Sequence, residues 1–279
     1  LITEKFSNLD LFYDAAEKAG LLNLLEGETD YTFFMPNNTA MQIALEEAGF
    51  NSVAEADVPF LTKLVNDHTL NGRILSGDLS KSAVSPLSGE TIYVSVADGV
   101  VLNAEATVTS ADNETQNGVV HIIDFPLISF PESSIAGIVN ANAAAATPEF
   151  TVLKAALEAT GLDAALAGSG AFTVFAPTDA AFAAIGLDVD SVNNMDVDLL
   201  TMVLGYHVLP GRNFTVDLTS GRYFTLAGDQ SQGVRGIDAE IEPGNATIET
   251  VFGAASTVEV NILATNGTVH IVDAVILPE

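Results

Sequence analysis

The chain has 279 residues, of which 48% are hydrophobic and only 16% charged, a composition that excludes a disordered chain. Its net charge of −28 is spread evenly, −15 over residues 1–145 and −13 over the rest, so its field repels phosphate backbones and nucleic acid is excluded as a partner. Cysteine is absent, which removes disulfides, thiolate metal sites and cysteine nucleophiles.

No stretch reaches the roughly 20 apolar residues of a membrane helix, and the best candidate (171–189) is broken by Pro177 and Asp179. The chain opens at LITEK with no initiator methionine, so we read it as a mature or trimmed fragment whose missing leader means little. Acidity of this size suits a salty or calcium-rich exterior, where counterions screen self-repulsion, and equally serves plain solubility.

In chain order, LFYDAAEKAGLLNLL (11–25) sets apolar residues at i, i+3, i+4 and i+7, an amphipathic helix with Gly20 near its end. YTFFMP (31–36) reads as a short buried strand stopped by proline. NNTAMQIALEEAG (37–49) begins with helix-capping asparagines. DVPFLTKLVNDH (57–68) is helical after an Asp cap, with Phe60, Leu61, Leu64, Val65 and His68 on one face. Strands follow in TIYVSVA (91–97), VVLNAEATV (100–108) and VVHIIDFPLI (119–128), separated by turn signals at Asp98-Gly99 and Asn117-Gly118. Pro131 and a serine pair suit a linker, and IAGIVNANAAAA (135–146) an opening helix. The same order then returns: helix at 150–166, strand FTVFAP at 172–177, helices at 178–186 and 196–207, and strands from 222 to 277.

This is a duplication. Shifted by 141, Gly20 meets Gly161, Gly27 meets Gly168 and Pro36 meets Pro177. Shifted by 139, His68 meets His207, Gly72-Arg73 meets Gly211-Arg212, and Asp78-Leu79 meets Asp217-Leu218. Shifted by 149, NGVVHIID meets NGTVHIVD, which superposes His121 on His270 and Asp124 on Asp273. The second copy carries about ten extra residues in hairpin-like sequence between Leu218 and Asn266. Helices first and antiparallel strands later make each copy an α+β domain, 1–130 and 131–279, the first with its opening helix cut short or lying upstream.

Three ordered blocks resemble the fasciclin (FAS1) family across almost the whole chain: TVFAPTDAAF with its divergent twin TFFMPNNTAM, LGYHVLPGR, and NGTVHIVDAVILP. The resemblance implies two tandem domains, each a β-sandwich-like wedge surrounded by α-helices. It also implies extracellular or cell-surface adhesion and matrix binding. Some members hold apolar ligands such as carotenoids. The Tyr-His segment is linked with ligand contact in some members, which points to Tyr206 and His207. Copy one departs there, with Asp67-His68, and Asn71 in place of Pro210.

The four histidines have a structural reading and a functional one. Structurally, each ring plugs a polar hole in the core, and the resemblance suggests Asn38 and Asp179 as partners of His68 and His207. His121 and His270 alternate with Val120, Ile122, Val269 and Ile271 and face away from them. Functionally, two histidines with Asp124 or Asp273 would supply the three ligands zinc needs, but their spacing matches no known ligand signature. We expect no metal, no cofactor and no catalytic residue.

Lesser features read as structure. The acid-rich 188–198 lacks the mid-loop glycine and terminal glutamate of an EF-hand and reads as a loop ending in a helix cap. Gly168-Ser169-Gly170 is a turn, and Arg235-Gly236-Ile237-Asp238 is one residue too long for an RGD tripeptide. Arg73 and Arg212 suit a local turn or ion pair. Five N-x-T sequons, at Asn37, Asn113, Asn213, Asn245 and Asn266, would carry glycans only in a eukaryotic secreted protein, and the acidity and missing cysteine lean towards a bacterial one.

The reading is therefore a non-enzymatic, exported protein, extracellular, on the cell surface or periplasmic, binding a surface polysaccharide or protein with a weak calcium dependence. The alternative is an apolar small-molecule carrier, which a mean hydropathy of +0.34 permits. An unrecognised enzyme comes third.

Overall fold

Apolar periodicity and left-handed glycines set the helical layer of each copy. The computed structural model describes residues 8–227, 236–242, 245–250 and 253–277, and divides into two units, Leu1–Phe130 and Pro131–Glu279. The helix expected over 11–25 is two, α1 (Asp10–Lys18) and α2 (Leu22–Glu26), because Gly20 at φ +73° turns the chain between them. β1 (Tyr31–Pro36) follows, then α3 (Asn38–Glu47), capped by the Asn37 side chain on Ala40 N–H, and α4 (Val58–Asp67), capped by Asp57 on Phe60 N–H. β2 is Thr69–Asn71, β3 Ser82–Val84 and β4 Ile92–Ser95. The strand expected over 100–108 is broken into β5 (Val101–Leu102) and β6 (Ala106–Thr115) by Asn103 and Ala104, both at positive φ. β7 is Gly118–Ile123.

The second unit repeats this. α5 (Ile135–Ala143), α6 (Thr151–Thr160) and α7 (Leu162–Ala167) precede β8 (Phe172–Pro177), α8 (Asp179–Ala184), α9 (Val189–Asn193) and α10 (Val197–Tyr206). Asp188 and Asp196 cap α9 and α10, so the acid-rich segment expected as a loop before one cap is instead a short helix with a cap on either side of it. Then come β9 (Val208–Pro210), β10 (Gly221–Phe224), β11 (Gly236–Glu242), β12 (Asn245–Thr250), β13 (Gly253–Ala264) and β14 (Gly267–Val272). β11, β12 and β13 are longer than β4, β5 and β6, which accounts for most of the extra residues of the second copy.

Each sheet has seven strands, in the order β2-β1-β7-β6-β5-β4-β3 and its repeat β9-β8-β14-β13-β12-β11-β10. The first strand pairs in parallel with the last, Tyr31 with Gly118 through Pro36 with Ile123, and Phe172 with Gly267 through Pro177 with Val272. Period-2 alternation then sorts the central strands onto two faces. Phe33, Met35, Val120 and Ile122 meet the helices, while Phe34 and Ile123 share a second core with Ile92, Val94 and Leu102 of β4 and β5. One sheet thus folds over on itself, with β6 irregular between Val108 and Asn113 where it turns. Unit two repeats both cores, Val174 and Val269 on the helical side and Phe175 and Val272 on the other.

Candidate functional site

His68 ends α4 and His207 ends α10, each fully inside its unit, and their bonding is the same to the atom. Nδ1 of His68 donates to the Leu64 carbonyl (2.7 Å), and its Nε2 accepts the Leu127 N–H (2.8 Å). Nδ1 of His207 donates to Val203 (2.9 Å), and its Nε2 accepts the Ile276 N–H (2.8 Å). One neighbour is a carbonyl and the other an amide N–H, so both rings are neutral in the Nδ1–H tautomer. Each ring pins the segment after the last strand to the C-terminal turn of a helix. Burial pushes both rings down to about pKa 4.

His121 and His270 use the opposite tautomer. Nε2 donates to Ile74 C=O (2.9 Å) or Asn213 C=O (3.1 Å), and Nδ1 accepts the N–H of Asp112 or Asn261 (3.3 Å each). Asp112 and Asn261 sit at positive φ, at the irregular turns of β6 and β13, so each ring props the point where its sheet folds. The rings also lie 5.4 Å from Phe34 and Phe175, on the face away from Val120, Ile122, Val269 and Ile271. Burial pushes His270 down to about pKa 4. Among the described residues no three His, Asp or Glu side chains are grouped as a metal cage.

Asn38 and Asp179 must be reassigned. Among the described residues neither bonds a histidine. Asn38 Oδ1 accepts the Leu11 N–H (3.1 Å) at the start of α1, and Asp179 accepts Thr151 N–H, Thr151 Oγ1–H and Val152 N–H at the start of α6. The physical reason is that a helix N-terminus offers unpaired N–H groups, while the histidines' acceptor and donor needs are already met by backbone. His207 is 2% exposed, and Tyr206 is 3% exposed and packs in the second core with Leu209 and Ile276. Asp67, its counterpart, is also buried; Lys63 Nζ lies 2.9 Å from its carboxylate and 4.9 Å from the Phe130 ring centre. Desolvation holds Asp67 above the usual carboxylate range.

The remaining repeated polar residues bond within their own units, to backbone or to neighbouring side chains. Asp124 and Asp273 accept the N–H of Thr107 and Ser256 (2.7 Å each). Arg73 pairs with Glu114 and Asp30, whereas Arg212 donates to the carbonyls of Gly267, Ala264 and Thr265. The sequon asparagines Asn113, Asn213 and Asn266 donate their amide nitrogens to Val120 O, Thr173 Oγ1 and Leu166 O. Arg235 and the Asn245 side chain lie outside the described residues.

Unit two also contains an apolar cavity of about 120 Å³ between α6, α7, α10 and β8, lined by Leu153, Leu157, Val174, Leu204, His207 and Leu226 among others. A second hollow, about 270 Å³, lies between Phe182, Ile185, Met195, Leu199, Val203 and Leu277. In unit one the residue matching Leu199 is Phe60, whose ring packs 5.4 Å from Phe50. Sequence reasoning missed both hollows. The signal was available in the repeat, where large residues of one copy face small ones of the other.

Fold and site together define a tandem α+β module protein whose histidines hold its own backbone in place. Residues 7–129 and 148–278 each match the family model described as Fasciclin domain, and the chain belongs to that family. It is 27% identical over 276 residues to the transforming growth factor-beta-induced protein ig-h3 of Sus scrofa, covering 96% of this chain and 37% of that protein. It is 34% identical over 139 residues to protein sll1483 of Synechocystis sp., covering 48% of this chain and 71% of that one. To human periostin it is 31% identical over 234 residues, 81% of this chain and 26% of that protein. The chain thus spans well under half the length of ig-h3 and periostin. Among solved structures it is similar to a FAS1 domain pair from the insect cell adhesion molecule Fasciclin I, at 19% identity and a TM-score of 0.46, covering 98% and 97% of the two chains. Among the described residues no helix is long and apolar enough to cross a membrane.

Proposed function

We propose that the protein is a non-enzymatic, exported adhesion protein whose two fasciclin domains bind a surface polysaccharide or another protein. The observation that supports this most is the duplication itself. Both copies keep the same histidine bonding, so the residue type best suited to acid–base or metal chemistry is committed to architecture four times over. What then varies between copies is their surface and hollows. Two modules on one chain raise avidity by about 10²–10⁴ without any new contact, so weak single contacts suffice. The acidic surface admits bridging by calcium to an anionic polymer. The test is retention of the pair and of each module on cells and polysaccharides, with and without calcium. Adhesion fails if nothing is retained under any condition. A second reading, carriage of an apolar molecule, is supported by the cavity of domain 2.

A further inference from the structure

Domain 2 and domain 1 pack the same space differently. At two matched positions of this space, domain 1 has Phe12 and Phe33, both fully buried, and Phe12 meets His68 edge-on with centroids 5.9 Å apart. Domain 2 has Leu153 and Val174 there, smaller side chains that line the cavity of about 120 Å³. Two aromatic rings have been replaced by aliphatic side chains, and a hollow lies between them.

The lining dictates what such a hollow accepts. Its two polar side chains are already committed: His207 through both ring nitrogens, and Thr201 through Oγ1–H to Val197 C=O (2.7 Å). Both His207 ring nitrogens are taken and only the Thr201 hydroxyl oxygen can still accept, one polar partner where a water needs about 2–4 to settle. An engineered apolar cavity of about 150 Å³ stays dry and binds benzene, so the volume here is of the right order for one ring or a short hydrocarbon segment. Leu226, which lines the cavity, is 52% exposed and marks its mouth.

We propose that this cavity is a binding site for an apolar group, an aryl ring or the end of an alkyl chain, and that Phe12 and Phe33 fill the matching space of domain 1. The site deepens the second functional reading and is independent of adhesion.

The experiment uses the full chain and benzene as probe, with binding followed by calorimetry and by thermal unfolding of the two domains. Benzene is expected to bind in domain 2 and to raise the melting temperature of that domain alone. Val174→Phe and Leu153→Phe, which rebuild the domain 1 packing, should each weaken binding at least tenfold. Leu153→Met is the gentler variant if either phenylalanine fails to fold, and should weaken binding less. The pair Phe12→Leu with Phe33→Val should create a second site in domain 1. The proposal is overturned if wild type takes up no benzene, or if folded Val174→Phe binds as wild type does. Retention on surfaces should be unchanged in Val174→Phe, so a failure of this site leaves the adhesion reading standing.

Discussion

Replacing His207 by alanine removes two hydrogen bonds inside domain 2 and leaves two backbone groups, the Val203 carbonyl and the Ile276 N–H, without their partner. A buried polar group stranded in this way costs about 1–3 kcal/mol. The vacated ring volume adds a cavity term of about 2 kcal/mol or more. His207→Ala should therefore destabilise domain 2 by about 4 kcal/mol or more, a large part of the roughly 5–15 kcal/mol that holds a domain together. His207→Phe keeps the volume but strands the same two groups, for about 2–6 kcal/mol. His207→Gln offers an amide oxygen near the place of Nε2 and should recover part of that loss. Urea unfolding of the full chain reads the series, and the domain 2 midpoint should move by about 2 M or more for His207→Ala at a typical slope. The reasoning is refuted if His207→Ala unfolds within about 1 kcal/mol of wild type, all the more if it has lost surface retention.

Three further outcomes follow from the same geometry. His68, His207 and His270 are pushed down to about pKa 4 by burial, against about 6.5 in the unfolded chain. The fold thus binds fewer protons than the unfolded state in this window, so stability is whole above about pH 6.5 and falls as pH drops to about 4, by on the order of 3 kcal/mol per histidine; melting temperatures flat across that range would contradict it. Gly118→Ala and Gly267→Ala put a Cβ within 1.9 Å and 2.2 Å of the Tyr31 and Phe172 carbonyl oxygens at the parallel strand pairs, so each should cost its domain at least about 3 kcal/mol in denaturation, and a neutral result would mean the strands are not so closely apposed. Asp179→Ala removes the cap on α6 and should cost about 1–2 kcal/mol, with Asp179→Asn milder.

Patterns made of residue types were legible in the sequence. The period-2 alternation around His121 and His270 placed both rings on the face opposite Val120 and Val269, where the structure has them beside Phe34 and Phe175. The block order also revealed the tandem family fold. What was not legible was any partner that is a backbone atom. Leu127 N–H and Ile276 N–H bond His68 and His207 from 59 and 69 residues away, and a main-chain amide has no letter in the sequence. The family resemblance suggested Asn38 and Asp179 as ring partners, but a polar residue at that matched position serves equally well as a helix cap. The parallel pairing of β1 with β7 was hidden for a related reason, since a buried central strand reads the same whichever way its neighbour runs. The cavity was hidden because it is an absence, visible only when Phe12 and Phe33 are set against Leu153 and Val174.

The central claim is that two modules act together on one surface. The direct measurement is the binding of the pair, and of each module alone, to immobilised cell-surface polysaccharides and proteins, with and without calcium. The account predicts that the pair is held at least about 100-fold more tightly than either module. A single module binding as tightly as the pair, or no retention by any of the three, would contradict it.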